Sequence, residues 1–470
     1  MIPKKRVAII GAGPAGLVAA KEAIEHGLEP VVFEKHAELG GLWHPETGST
    51  WHGLRTNLSK LTSAFPAFPW PENASEFPTQ QEMYEYLHNY AKKYELRGYI
   101  KFNCTVQLIQ QNVNKWLITA DNVSEEFEFV IIASGIFSTP YMPFEQSGVH
   151  TNSNIEYTVM HSSEYKNPNA IMDKDVLVFG GGFSGVDIAT TIAKHARHVV
   201  HVIRTPYWII PRYIDGKPLD KVLYDQSNRY NPHENLFKTA EENIKTNAYM
   251  ATLSPMQATD SSSALYIEPV KNSSPAKVAI SDEYMNLVKN GKIVVKKTPI
   301  TNHHCNFIIY CTGYRLNLNF LHNNILNALK FENDQLQPIL LHKCTWHPKL
   351  PGMAFVGMYR GPYFPIMELQ SKWAAKVFSK ELTLPPDTVM HTSIAEEQKI
   401  RALPKSKRPQ FPHGDYVGLR NDLTTEVNRK PNILYGYRFS TNKTKLAALV
   451  AVGIASLGLG MAVNKYAHKF

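Results

Sequence analysis

Cysteine is scarce in this chain. Only four occur in 470 residues, Cys104, Cys305, Cys311 and Cys344, with no CxxC and no even spacing. That pattern excludes a disulfide framework, a zinc ribbon and a CxxxxC dithiol centre, and it fits reduced thiols in a reducing compartment. No HExxH run and no Ser/His/Asp grouping is present, and the pair His303-His304 reads as a polar turn before a strand, so no metal site is expected. A dense basic stripe interleaved with aromatics is also missing. The net charge of +9, from 50 Lys+Arg against 41 Asp+Glu, is spread along the chain, so nucleic acid is not expected as a partner. Lys4, Lys5 and Arg6 lead into only four apolar residues before Gly11, too few for a signal peptide. The 30 prolines and 27 glycines form no repeat, which excludes collagen-like and low-complexity readings.

What is present is a globular composition, 43% apolar and 11% aromatic, at a length that predicts about three domain-sized units. Two βαβ beginnings stand out. In the first, Val7–Ile10 reads as a strand, Pro14–His26 as a helix stopped by Gly27, and Pro30–Phe33 as a second strand. The pattern returns with a strand at Val176–Phe179, a helix at Ser184–Arg197 and a strand at Val199–Ile203. Another helix is predicted near Thr79–Tyr94. Residues 205–275 carry Pro, Asn and Ser clusters and read as a loop-rich insert, and residues 380–440 as a polar, proline-rich strap.

Both beginnings carry a glycine fingerprint. In Gly11-Ala-Gly13-Pro14-Ala15-Gly16 the first glycine permits a tight turn, the second a close backbone approach to a pyrophosphate, and the third helix-on-strand packing. The helix N-terminus adds free N–H groups and partial positive charge. Glu34 ends the next strand, where a carboxylate can accept both ribose hydroxyls. The second copy, Gly180-Gly-Gly182-Phe-Ser184-Gly185, is followed by Arg204 in place of an acid. A guanidinium there pairs with a 2′-phosphate that a carboxylate would repel, which predicts NADP over NAD.

One further run is uncharged throughout. Leu446–Val463 is bracketed by Lys443, Lys445, Lys465 and Lys469. As a helix its 18 residues would span about 27 Å, close to a thin bilayer, and glycines inside it suit a membrane better than a soluble helix. A C-terminal membrane anchor is the expectation, with a buried helix as the alternative.

The segment Trp51-His-Gly-Leu-Arg-Thr56-Asn57-Leu-Ser-Lys60, followed by Phe65-Pro-Ala-Phe-Pro69, resembles the YxxLxTNxSK…FxDFP segment of the flavin-containing monooxygenases. The resemblance runs from Val7 to about Tyr437. Gly40-Gly41-Leu42-Trp43 is similar to the family's GGLW. Ala133-Ser-Gly135 and Cys311-Thr-Gly-Tyr314 are similar to its two ATG-type segments, Gly182–Ala189 (with Val186 and Asp187) to GNSGxDIA, and Pro365–Trp373 (with Gln370) to PxxELQxxW. The family's FxGxxxHxxx(Y/W) motif is matched at His161 and Tyr165, while Ile155 and Tyr157 stand where Phe and Gly are usual.

The resemblance implies an α/β fold with two Rossmann-like domains, one for FAD and one for NADPH. The FAD domain would comprise residues 1–165 and 305–440, the NADPH domain 166–304, and the anchor 446–463. It implies that NADPH reduces FAD, that O2 adds to give a flavin hydroperoxide, and that a small amine or sulfide takes one oxygen atom. Asn57 would be the catalytic residue, hydrogen-bonding the peroxide and the retained nicotinamide. Cofactor contacts would fall to Gly11, Gly13, Pro14, Ala15, Gly16, Glu34, Gly41, Leu42, Trp43, Thr56, Asn57 and Val106 on one side. On the other they would fall to Gly180, Gly182, Ser184, Gly185, Val186, Asp187 and Arg204, with Gln370 beside them. Tyr165-Lys166, where Baeyer–Villiger enzymes carry Trp before Pro or Asp, leans toward heteroatom oxygenation. The rivals are a Baeyer–Villiger enzyme, an NADPH oxidase that leaks peroxide, and a non-catalytic NADP-binding protein. Location at the endoplasmic reticulum is implied, with the mitochondrial outer membrane as alternative, and a homo-oligomer is left open.

Overall fold

A computed structural model describes residues 3–143, 157–224, 239–298, 305–361, 363–412 and 416–429. Two five-stranded sheets, each parallel throughout, organise them. In the first, spatial order runs Met353–Phe355, Phe129–Ile132, Arg6–Ile10, Glu29–Phe33, Ile100–Lys101. In the second it runs Ile293–Lys297, His198–Ile203, Asp175–Phe179, Phe307–Tyr310, Thr158–His161. The strands are nearly continuous apolar runs because helices and connections cover both faces, and Val7, Ala8 and Ile9 are wholly buried. A three-stranded antiparallel sheet, Val106–Asn112, Lys115–Ala120 and Val123–Phe127, packs beside the first.

The predicted helices form with shifted ends. The first spans Pro14–Glu25, with proline in its first turn, where a missing N–H does no harm. It packs against Phe364–Phe378, which carries the buried Trp373 and Phe378. Gln80–Lys93 begins on a capping box, Thr79 bonding the Glu82 N–H while the Glu82 carboxylate takes the Thr79 N–H. The helix after the second fingerprint spans Phe183–Ile192, shorter than its sequence pattern.

Three expectations need correction. The boundaries at 165 and 304 place Thr158–His161 and Phe307–Tyr310 in the first domain, yet both strands lie in the second sheet. Parallel strands pair across crossovers, so Asp175–Phe179 takes as neighbour a strand 132 residues on, counting from Asp175 to Phe307. Among its described residues the insert also carries regular structure. It holds a 14-residue helix, Ala240–Leu253, on its own capping box, and strand Trp208–Ile210 pairs with Val278–Ile280. The strap likewise contains helices Asp387–Ala402 and Tyr416–Val427. Met1–Arg429 groups as one compact unit that holds both sheets. Among the described residues no helix is long and apolar enough to cross a membrane. Leu446–Val463, Ile155 and His303-His304 all lie outside the described residues.

Candidate active site

Each fingerprint turn crosses the end of a neighbouring strand. Gly11 has φ +105°, and a Cβ there would stand 2.8 Å from the Ala133 carbonyl oxygen. Gly180 has φ +118°, and a Cβ would stand 2.3 Å from the Cys311 carbonyl oxygen. The two ATG-like segments are therefore structural equivalents, one seated on each turn. Gly16 and Gly185 are closed still more tightly, since a Cβ would lie 1.8 and 1.7 Å from the Gly11 and Gly180 carbonyl oxygens. Gly13 and Gly182 differ. Their added Cβ atoms would meet only Gly41 Cα at 3.6 Å and Tyr207 Cε2 at 3.9 Å. Each is left open at a helix N-terminus that has no side-chain cap, the arrangement a pyrophosphate requires.

Glu34 is buried and fastens the first turn, its carboxylate accepting from the Ala12 N–H (2.8 Å) and the His36 N–H (2.9 Å). Each oxygen retains a lone pair for a ribose hydroxyl. The GGLW loop sits directly on this turn: Gly40 N–H donates to the Ala12 carbonyl at 3.0 Å, and Gly41 approaches so closely that its Cβ would be 2.9 Å from Gly13 Cα. The residues fit FAD at the first turn and a nicotinamide dinucleotide at the second.

A cleft of about 1180 Å³ is lined by the second turn and by the Leu42–Trp43 loop that sits on the first. It brings together Leu42, Trp43, Thr56, Asn57, Gly180, Gly182, Ser184, Asp187 and Arg204 from the expected set. Gly11, Gly13, Pro14, Ala15 and Gly16, on the first turn and its helix start, lie outside that lining, as do Glu34 and Gly41, which hold that turn. Gly185 and Val186 are buried in the helix, Val186 within the core of the second sheet. Val106 opens the antiparallel sheet and packs against the first core. Gln370 also lies outside the cleft lining. Its wholly buried amide accepts from the Gly357 N–H (3.0 Å) and donates to the Cys344 carbonyl (2.8 Å) and the Thr345 hydroxyl (3.1 Å). A buried amide must be satisfied, and here the protein satisfies it, so Gln370 braces the Gly357 turn against Ala15.

The His161–Tyr165 motif has a clear physical role. His161 is buried and accepts the Ser163 N–H at Nδ1 (3.2 Å), which leaves Nε2–H to donate to the Gly313 carbonyl (3.0 Å). Burial lowers its pKa, consistent with that neutral tautomer. Lys166 donates to the Gly48 and Thr50 carbonyls, and Tyr165 packs on Trp51 with ring centroids 6.3 Å apart. The loop leading to Asn57 is thereby pinned to the start of the second sheet's segment. Burial also pushes the Asp187 carboxyl up to about 6, against the opposing pull of the Arg212 guanidinium 3.9 Å away.

Several cleft residues carry no local signal in the sequence. Tyr207, Leu219, Asn243 and Met250 come from the insert, and Lys277 and Arg360 from distant turns. Lys277 lines the cleft, half-buried, within reach of the Arg204 charge; burial first, then the Arg204 and Arg360 charges, lower its pKa. The strap closes one side of the cleft. Gln410 bonds both the N–H and the carbonyl of Val278 (2.7 and 2.9 Å), Arg360 donates to the Gln410 carbonyl (2.9 Å), and Phe411 packs on Phe183.

Two glycine-turn nucleotide sites, one lining the cleft and the other joined to it through the Leu42–Trp43 loop, define a two-dinucleotide oxidoreductase. The chain matches the family described as Flavin-binding monooxygenase-like over residues 4–456, and it belongs to that family. Flavin-containing monooxygenase 1 of Rattus norvegicus is 31% identical over 464 residues, covering 91% of this chain and 84% of the relative. Dimethylaniline monooxygenase (N-oxide-forming) 2 of the same species is 29% identical over 473 residues, covering 92% and 84%. Among solved structures, S-allyl-L-cysteine S-oxygenase from Allium sativum superposes with a TM-score of 0.62 at 21% identity, covering 92% of this chain and 90% of that one. Cyclohexanone monooxygenase from Rhodococcus sp. Phi1 bound to NADP+ superposes with a TM-score of 0.67 at 15% identity, covering 90% and 98%. These two share the fold. The chain is thus an enzyme, a flavin monooxygenase, and FAD and NADPH are its cofactors.

Proposed function

We propose that the enzyme transfers one oxygen atom from O2 to the soft nucleophilic nitrogen or sulfur of a small amine or sulfide. The balance is substrate, NADPH, O2 and a proton in; oxide, NADP+ and water out. The observation that carries the reading is the single cleft in which Leu42, Trp43, Thr56 and Asn57 face Gly180–Ser184 and Arg204. Bound FAD supplies the hydride acceptor and the means of activating O2. The chain supplies the rest. Gly13 and Gly182 admit the two pyrophosphates, Glu34 takes the flavin-side ribose, and Arg204 takes the 2′-phosphate. Leu42 and Trp43 exclude water beside the flavin. Asn57, half-buried on the pinned loop, offers both a donor and an acceptor where the oxygen is handed over. No acid–base pair is needed, because a free amine or sulfide presents its own lone pair.

In Asn57→Leu, anaerobic flavin reduction by NADPH should persist while product per NADPH falls about tenfold, the value of one lost hydrogen bond of ~1–1.5 kcal/mol. Hydrogen peroxide should rise to match. Stopped-flow reduction beside product and peroxide assays checks this, and unchanged coupling would remove Asn57 from the role.

The heteroatom preference is supported by the resemblance, since Tyr165-Lys166 stands where Baeyer–Villiger enzymes carry Trp before Pro or Asp. The same reading tethers the enzyme to a membrane, at the endoplasmic reticulum or the mitochondrial outer membrane, through residues 446–463. Full-length protein should resist alkaline carbonate while a chain ending at Thr444 is released. Release of both would refute the anchor.

A further inference from the structure

One piece of the insert holds the loop that carries Asn57. Tyr213–Ile214 and Lys217–Pro218 pair as a tight antiparallel hairpin, turned through Asp215-Gly216, both with positive φ (48° and 73°). Arg212 precedes this hairpin, and Asp220 follows it in the short helix Leu219–Leu223. The Leu219 N–H donates to the Arg212 carbonyl at 2.8 Å, which fixes the spacing between the two charged residues. Both are buried, Asp220 at 1% exposure and Arg212 at 9%.

Each of the two reaches the same loop at a different point. Asp220 Oδ2 accepts from the Ser59 N–H (3.2 Å), the Ser59 hydroxyl (2.8 Å) and the Thr62 hydroxyl (2.9 Å). Arg212 donates from Nε to the Thr56 carbonyl (3.4 Å), while its backbone N–H and Nη1 donate to the Asp282 carboxylate (2.8 and 3.3 Å). Asn57 and Leu58 are the residues left between these two attachments, and both line the cleft. Among the described residues the Asn57 side chain has no hydrogen-bond partner, so the backbone on either side of it decides where its amide stands. Burying a carboxylate and a guanidinium is costly, and apolar packing would retain a loop for less. What charge-assisted hydrogen bonds add is a fixed direction.

We infer that Asp220 and Arg212 are positioning residues for oxygen transfer, a two-point clamp that fixes the Asn57 amide in the cleft. Neither lines the cleft itself, so both act through the loop. The clamp rests on the proposed role of Asn57, and it gives the insert a part in the chemistry as well as in the cleft wall.

Two readouts on the FAD-loaded enzyme test it: product and peroxide formed per NADPH, and backbone hydrogen exchange over residues 54–63. In Asp220→Leu the loop should exchange about tenfold faster, and product per NADPH should fall about threefold with peroxide rising to match. Anaerobic flavin reduction should keep its rate, which a general loss of structure would not allow. Asp220→Asn retains an acceptor oxygen and should stay close to the parent in both readouts. Ser59→Ala with Thr62→Val removes the two hydroxyl bonds from the loop side. It should uncouple the enzyme in the same way, add little to Asp220→Leu, and serve as the test if Asp220→Leu does not fold. Arg212→Met should act in the same direction from the Thr56 end. Unmoved exchange in any of these folded, FAD-loaded variants except Asp220→Asn removes that residue from the clamp. Faster exchange with unchanged coupling overturns the positioning role if Asn57→Leu is itself uncoupled. If Asn57→Leu also remains coupled, the proposed role of Asn57 fails instead.

Discussion

Purified Gly13→Val protein should be folded and nearly flavin-free. An added Cβ has space in the protein itself, the nearest atom being Gly41 Cα at 3.6 Å. What it removes is the backbone's access to the pyrophosphate at the uncapped helix start. Flavin content should fall at least about tenfold, which is ~1.4 kcal/mol or more of lost affinity, with Gly13→Ala in between. Gly16→Ala is the informative contrast. Its Cβ would lie 1.8 Å from the Gly11 carbonyl oxygen, so that variant should fail to fold rather than fold empty. Absorbance at the flavin band and circular dichroism on the three variants check both halves. Full flavin in folded Gly13→Val would show that the first turn has been misread.

Replacing Arg204 with Ala should raise the NADPH KM by about 10–150-fold and leave NADH nearly unchanged, as a charge-assisted pair of roughly 1.5–3 kcal/mol implies. Arg204 is exposed at the end of strand His198–Ile203 and lines the cleft mouth, where a 2′-phosphate would emerge. Lys277 is near enough to feel its charge, so some NADPH preference should survive the single change and disappear when Lys277→Ala is added. Equal losses for NADPH and NADH would place the 2′-phosphate elsewhere.

Chemistry held in contiguous residues was legible in the sequence. Each fingerprint is a strand, a turn and a helix start within about a dozen residues, and its glycines are dictated by local backbone geometry. Glu34 and Arg204 were readable for the same reason, as each closes the strand that follows. The loop Trp51–Lys60 was legible only by resemblance, since nothing local marks Asn57 as facing a cleft.

Tertiary pairing decided the rest. Which sheet owns Thr158–His161 and Phe307–Tyr310 depends on parallel partners more than a hundred residues apart, and a parallel crossover leaves no mark on the strands it joins. Gln370 sits in a matched motif, but three bonds to Gly357, Cys344 and Thr345 turn it inward. Asp220 carried no motif at all; its unpartnered oxygen exists only because the insert folds against Ser59 and Thr62. Sequence alone determined two dinucleotide turns and the charge that follows each, because those depend on neighbours along the chain. Burial and hydrogen-bond satisfaction depend on neighbours in space, and those determined which of the remaining side chains face the cleft and which brace it.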